Sequence, residues 1–430
     1  MLFIHCGCKV NQYETNAMIQ QFIKCKYKIL DVNEKADIYV INTCTVTNMS
    51  DRKSRQLLRR AKEHNPKALI VVCGCYAQVA KSELEKIEEI DLILGINEKN
   101  NIVEYIENYQ KEKMENEHIA DVMKQTEFID FGEVTYTDKS RAVIKVQDGC
   151  DRFCSYCIIP YARGRIRSRK IESVLNEVKS ISEKGIKEVV ITGIHVTSYG
   201  RDLKENVGLI DLLEEINKID KIKRIRLSSL EPTIVTEEFV KRLVKLDKIC
   251  DHFHLSLQSG CDGTLKRMNR RYTTSEFRKC VKLLREAYPN VSLTTDIIVG
   301  FPGETDAEFE ETYKFLKEMD FYKMHIFKYS KRDGTKAADM PNQVDGNIKD
   351  KRSKKLIALS DENEKDKNKQ YIGKEVEVLF EKEENGFAIG HTKNYMLVNA
   401  KNKENKNVIN KIEKAIITDT KGVELIGILL

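Results

Sequence analysis

Val146-Gln147-Asp148-Gly149-Cys150-Asp151-Arg152-Phe153-Cys154-Ser155-Tyr156-Cys157-Ile158-Ile159-Pro160 carries three cysteines separated by three and then two residues. Spacing this tight lets three thiolates converge from one loop onto one metal centre. A structural zinc site takes four protein ligands, yet no further cysteine or histidine follows until His195. An iron–sulfur cube held by three thiolates keeps one iron open, and an open iron can bind and reduce a small molecule. Zinc with a remote fourth ligand is the competing reading.

Working outward from the loop, apolar runs recur at 142–146, 188–192, 224–228, 252–257, 292–299 and 323–329. Amphipathic stretches at 171–183, 209–219, 237–246, 275–287 and 306–318 separate them. Strand, helix, strand at this interval predicts an α/β barrel-like domain over 139–365. Chemistry in such barrels belongs at the carboxyl ends of strands, and the first run leads straight into Cys150. The other ends carry Thr192-Gly193-Ile194-His195, Ser228-Ser229-Leu230-Glu231-Pro232, the segment 254–260 with Ser256 and Gln258, and the segment 296–304 with Asp296 and Gly300. Loop and strand ends together resemble the radical S-adenosylmethionine (SAM) superfamily. The resemblance implies a partial (β/α)6 barrel and a 4Fe-4S cluster on Cys150, Cys154 and Cys157 as the catalytic centre. It also implies SAM chelated to the open iron and split by one electron to a deoxyadenosyl radical. Gly193, Glu231, Ser256, Gln258, Asp296 and Gly300 are the expected SAM contacts.

Residues 1–125 alternate short strand patterns at 2–5, 27–30, 37–41, 69–72 and 92–94 with helical ones such as 14–24 and 50–63. That alternation predicts a Rossmann- or flavodoxin-like parallel sheet. Three of the runs end in cysteine: Cys6-Gly7-Cys8, Asn42-Thr43-Cys44 and Cys73-Gly74-Cys75. Ligands of open α/β sheets gather outside the carboxyl ends of strands, so Cys8, Cys44 and Cys75 are a candidate second three-thiolate site. Simple burial is the alternative, because free cysteine packs as a small hydrophobe. Cys8 and Cys75 each follow a glycine where the backbone can turn, whereas Cys6 and Cys73 still fit the strand pattern and read as neighbours. The stretches Gly7–Glu14, Asn42–Thr47 and Gly74–Gln78 resemble the amino-terminal domain of the methylthiotransferase family, which implies an auxiliary 4Fe-4S cluster on these three cysteines. The basic segment 51–62 reads equally well as a solvated face or an RNA contact, and residues 111–138 read as a connector.

After the cluster loop, Arg163, Arg165, Arg167 and Arg169 alternate, which reads as an extended edge with one cationic face. Arginine's planar fork suits phosphate, so these four are the candidate RNA-binding residues, with Arg267, Arg270 and Arg271 extending the surface. A charged helix over 350–370 leads to strand patterns across 370–430, including Asn385-Gly386 between alternating runs, a strong hairpin signal. This small all-β domain resembles the TRAM domain that closes methylthiotransferases and binds RNA. Residues 371–430 hold nine lysines and nine acidic residues, so any RNA grip there comes from arrangement and not net charge.

The chain has 430 residues, enough for two or three domains, with 33% charged and 41% hydrophobic residues and a net charge of +6. That balance permits a nucleic-acid partner without demanding one. Neither a signal-peptide pattern nor a membrane-length apolar run is found, so a cytoplasmic protein with no membrane partner is expected. Twelve cysteines in a reducing compartment point to metal or catalysis before disulfides. The whole-chain resemblance implies replacement of an unactivated C–H by C–SCH3, with two 4Fe-4S clusters and SAM. The expected partners are the anticodon stem-loop of a tRNA and an electron donor such as flavodoxin or ferredoxin. The stretches Gly7–Glu14, Asn42–Thr47 and Pro160–Arg169 resemble most the branch acting on threonylcarbamoyladenosine at tRNA position 37. Isopentenyladenosine in tRNA and a ribosomal-protein aspartate are the alternative substrates of the family. A cluster-stabilised RNA-binding protein without turnover is the alternative of another class.

Overall fold

The computed structural model describes residues 1–31, 33–45, 48–112, 116–137, 139–404 and 406–430. Val46 and Thr47 of one cysteine-bearing stretch, and positions 113–115 and 138 of the connector, lie outside them.

In the amino-terminal domain, β1 (Leu2–His5), β2 (Ile38–Thr43), β3 (Leu69–Gly74), β4 (Leu92–Leu94) and β5 (Glu117–His118) form a parallel sheet in consecutive order. β2 and β3 are almost wholly buried, as strands covered on both faces must be. The parallel α/β layering is as read from the sequence. The order lacks the reversal of a Rossmann or flavodoxin sheet, so the ends of β1, β2 and β3, which carry the cysteines, stand side by side. The run at 27–30 is not a strand; Leu30 merely donates to the Met1 carbonyl (2.9 Å). The fifth strand is instead the two-residue β5, inside what reads as connector.

The barrel uses β6 (Arg141–Asp148), β8 (Glu188–Gly193), β9 (Arg224–Leu227), β10 (His252–Gln258), β11 (Ser292–Val299) and β12 (Lys323–Lys328), with β7 (Arg167–Ser168) antiparallel against the end of β6. The six are parallel neighbours, β9 meeting β10 only through isolated bridges at Ile225–Ile249 and Leu230–Leu255. Ile144, Val178, Leu213, Phe253, Phe277 and Leu316 belong to the one apolar cluster that seals helices onto strands. Helices Thr274–Ala287 and Asp306–Met319 open with capping boxes, Thr273 with Glu276 and Thr305 with Glu308, each satisfying two otherwise unpaired N–H groups.

β13 (Glu375–Glu384), β14 (Phe387–Thr392), β15 (Leu397–Lys401), β16 (Ile412–Lys421) and β17 (Glu424–Leu429) close a small barrel. Asn385 and Gly386 both have positive φ, 53° and 76°, as a two-residue hairpin turn requires. This domain docks under the large barrel. Arg224 donates to the His391 and Glu377 carbonyls (3.1 and 3.2 Å), and Arg226 to that of Lys393 (3.2 Å). The Tyr395 ring lies 4.5 Å from the Arg226 guanidinium and 5.1 Å from that of Arg141.

Candidate active site

A cavity of about 520 Å3 opens at the carboxyl ends of the barrel strands. Cys150, Cys154 and Cys157 line it together with Cys8 and its neighbours Gly7, Lys9 and Val10 from the amino-terminal domain. Cys8 of the amino-terminal set and all three cysteines of the barrel loop thus face one space, although Cys150 lies 142 positions after Cys8. None of the twelve cysteines is in a disulfide.

Local geometry explains each loop. Gly149 has φ +69°, and a Cβ there would meet the Arg165 carbonyl oxygen at 1.7 Å, so only glycine lets the chain turn off β6 into Cys150. Gly7 sits at φ +100°, and its missing Cβ would lie 2.6 Å from Cys44 Sγ, which places the Cys8 loop directly against Cys44. Cys75 starts the short helix Cys75–Val79 just after β3. Cys73, inside β3, has its thiol pushed up to about 12 by burial and belongs to an apolar cluster, and Cys6 is buried beside Asn42. Neither lines the cavity.

The donor set fits clusters. Burial raises the Cys150 thiol to about 11, that of Cys157 to about 12, and that of Cys75 as well; iron loading must therefore displace protons. Arg270 Nη1 donates to Cys154 Sγ at 3.3 Å, and Arg163 Nε to Cys75 Sγ at 3.2 Å. Such bonds to sulfur orient a ligand and tune its cluster. Arg167 Nε and Nη1 are buried without a hydrogen-bond partner, while its Nη2 stands 3.8 Å from Asp148. Among the described residues no three His, Cys, Asp or Glu side chains are gathered tightly enough for a single metal ion, whereas a cube spreads its thiolates over separate irons.

Four of the expected SAM residues, Gly193, Glu231, Ser256 and Gln258, line this cavity. Burial raises the Glu231 carboxyl, but the His195 ring (3.1 Å), Arg270 (3.6 Å) and Arg152 outweigh that and hold it at about 2. The other two are corrected. Asp296 lies within β11, three residues short of its carboxyl end, so it points into a second, lower cavity and pairs with His254 (3.2 Å). Gly300, at φ +69°, packs against Lys349 and donates to Glu304 (3.1 Å). Arg152, His195 and Arg270 are the residues that complete the wall. Arg152 lies inside the cysteine motif, which is a signal in the sequence; Arg270, expected on the RNA surface, is instead in the cavity wall.

The arginine ladder is also corrected. Arg163 ends a short helix, Ile159–Arg163, and is fully buried. It donates to Glu14 (2.7 and 3.0 Å), Asp148 (3.2 Å) and Asn11 (2.8 Å). Arg167 donates to the Arg163 carbonyl (2.8 Å), and Arg169 pairs with Glu177 and Asp130. Only Arg165 is open, its side chain 54% exposed. Glu14 also takes Lys99 and Lys145 (both 2.7 Å). Four buried cations, Lys99, Lys145, Arg163 and Arg167, thus surround two buried carboxylates, Glu14 and Asp148. Arg267 pairs with Glu308 (2.8 Å). The open basic surface is elsewhere: Arg52, Arg55, Arg59 and Arg60 line a shallow groove on the helix Asn48–His64.

A three-thiolate loop on a partial barrel, faced by a cysteine-bearing α/β domain and closed by a small β barrel, defines a radical SAM enzyme with an added cluster domain. Family models match accordingly: Radical SAM superfamily over residues 144–316, Uncharacterized protein family UPF0004 over 1–95, and TRAM domain over 369–430. The threonylcarbamoyladenosine tRNA methylthiotransferase MtaB of Bacillus subtilis is 43% identical over 417 residues, 96% of this chain and 92% of the relative. That of Aquifex aeolicus is 41% identical, covering 87% and 90%. The tRNA-2-methylthio-N(6)-dimethylallyladenosine synthase of Clostridium novyi is 36% identical, covering 91% and 88%. The radical SAM methyltransferase TsrM of Kitasatospora setae superposes with a TM-score of 0.57 at 14% identity, over 78% of this chain and 76% of that one, a likeness of fold alone. The chain belongs to the radical SAM methylthiotransferase family. Its cofactors are SAM and two 4Fe-4S clusters.

Proposed function

We propose that this protein installs a methylthio group on carbon 2 of N6-threonylcarbamoyladenosine at tRNA position 37, the nucleotide 3′ of the anticodon. The observation that carries the reading is the single cavity lined by both Cys8 and the Cys150–Cys157 loop. Such a space would let a sulfur-bearing cluster on the amino-terminal cysteines sit beside the radical chemistry that a cluster on Cys150, Cys154 and Cys157 would supply together with SAM. The MtaB relatives favour the threonylcarbamoyl substrate. When bound, the Cys150/Cys154/Cys157 cluster and SAM supply the one-electron chemistry that no side chain offers.

The chain's own residues position and enclose. Arg270 ties the cluster loop to β10 by donating to Cys154 Sγ and to the Ser256 carbonyl (3.2 Å). Glu231 stays ionised and would hold a cationic part of SAM. Gln258, at φ +71°, aims its side chain into the cavity where the strand ends. The groove on the helix Asn48–His64, Arg165 and the TRAM domain supply the RNA-facing surfaces. A small electron-donor protein such as flavodoxin or ferredoxin reduces the cluster, and the tRNA substrate puts the enzyme in the cytoplasm.

Nucleoside mass spectrometry of tRNA from cells with and without the gene tests the substrate. Loss of the methylthio-threonylcarbamoyl nucleoside is expected. Loss of the isopentenyl form instead would overturn the substrate and leave the chemistry. Absence of reductive SAM cleavage to deoxyadenosine in fully loaded protein would favour a binding module.

A further inference from the structure

A second cavity, also about 520 Å3, lies inside the barrel beneath the first, floored by His391, Tyr395 and Leu397 of the small β domain. The two cavities share Lys9, Ser228 and Ser229. Four of the chain's eight histidines, His252, His254, His325 and His391, line the lower one. Its fixed charges are mostly paired among themselves. Glu364 takes Lys323 (3.1 Å), Asp296 takes His254 (3.2 Å), Arg141 takes Glu381 (2.8 Å) and Arg226 takes Glu188 (2.7 Å).

Two lysines of the lining, Lys9 and Lys139, are exposed and their ammonium groups have no hydrogen-bond or ionic partner among the described residues, and only Lys9 also lines the upper cavity. It follows Cys8 directly and stands where the two cavities meet, open to solvent until something covers it. Beside it, the Ser228 hydroxyl is buried with no hydrogen-bond partner, and so is Nδ1 of His252 deeper in the same space. Buried polar groups left unpaired mark a place where something polar binds.

We propose that Lys9, with the Ser228 hydroxyl, receives the carboxylate of the substrate's threonyl arm and so selects an anionic arm over an apolar one. The inference rests on the threonylcarbamoyl reading. A nucleoside whose carbon 2 lies between the cysteine sets has its N6 arm close to that carbon, at the junction Lys9 occupies. An apolar arm placed there would bury the ammonium and the hydroxyl unpaired, which discriminates against it.

The test compares tRNA bearing the threonylcarbamoyl group with the same tRNA after carbodiimide coupling of its carboxylate to methylamine. The reconstituted full chain and its Lys9→Gln, Lys9→Arg and Ser228→Ala variants are assayed for kcat/KM. Equilibrium binding of the free nucleoside and its methylamide to each protein is measured alongside. A hydrogen bond to a charged group predicts a wild-type preference for the acid of roughly 10- to 100-fold. Lys9→Gln should treat acid and amide alike, Lys9→Arg should keep most of the preference, and Ser228→Ala should lose part of it. An unchanged acid-to-amide ratio in Lys9→Gln overturns the assignment. So does loss of auxiliary-cluster iron in that variant with the ratio intact, which would make Lys9 a support of the Cys8 loop. Equal weakening on acid, amide and unmodified tRNA, with a salt slope lower by about one unit, would assign Lys9 to an RNA phosphate instead. Wild-type protein inactive on threonylcarbamoyl tRNA sinks the substrate reading, and equal nucleoside and methylamide affinities then sink the Lys9 site separately.

Discussion

Replacing Arg163 by glutamine separates a buried brace from an RNA contact. Arg163 is fully buried and makes five side-chain hydrogen-bonding contacts to Glu14, Asp148 and Asn11, plus one to Cys75 Sγ. Breaking one partner out of a buried ion pair costs about 3–5 kcal/mol, because the charge left behind stays out of water. For a domain of this size that lowers the melting temperature by on the order of 10 °C. Arg165 is the control, with its side chain 54% exposed, a 3.3 Å pair with Asp151 and a stack on Phe153. Arg165→Gln should stay within about 0.5 kcal/mol of the parent yet reduce the salt slope of tRNA binding by about one unit. Anaerobic thermal melts and binding titrations over a range of salt read both quantities on both variants. An Arg163→Gln protein that melts with the parent and loses a unit of salt slope would refute the reasoning, because Arg163 would then be a phosphate ligand.

Reconstituted protein should hold about eight irons, and the Cys150/Cys154/Cys157→Ala variant about four, by iron and sulfide assay. Glu231 titrates at about 2 when folded and near 4.3 when unfolded, so its stabilisation is complete above that upper value and is lost as pH falls toward 2. Glu231→Gln should therefore flatten the acid limb of the stability curve, an effect worth about 3 kcal/mol, measured by denaturant titration at several pH values. Tyr395→Ala should cost about 1–2 kcal/mol and speed hydrogen exchange in β14 and β15, where the small β domain docks. Gly149→Ala, which forces a Cβ into the Arg165 carbonyl, should cut iron content by about half while the amino-terminal cluster remains.

The regular elements were legible because period-2 and 3.6-residue patterns are local. β1 and β4 fall where the runs at 2–5 and 92–94 put them, and the six barrel strands match to within a residue or two. The places of Cys8, Cys44 and Cys75 just past the ends of β1, β2 and β3 were legible from the strand patterns and from Gly7 and Gly74. The arginine segment was not. Alternating Arg163, Arg165, Arg167 and Arg169 look like one face of an exposed edge, but Glu14 from the amino-terminal domain, Asp148 from the preceding strand and Glu177 from the following helix neutralise three of them. Likewise Asp296 lies on the right strand and Gly300 just after it, yet Asp296 sits too far from the strand end and Gly300 turns toward Lys349 and Glu304, placements that no local pattern carries.

The buried charges around Glu14 also bear on how the chain is made. Lys99 leaves the ribosome within the amino-terminal domain, but Lys145, Asp148 and Arg163 follow later. At typical elongation rates the gap between Lys99 and Arg163 lasts roughly 3–13 s. Within that interval the nascent α/β domain carries Glu14 with one of its three cations until Lys145 is made and two until Arg163 is, and Cys75 lacks its donor throughout. The auxiliary cluster site is therefore finished only when the barrel's first strand and loop arrive, so iron loading on the amino-terminal domain should follow, and not precede, synthesis of the cysteine loop at Cys150.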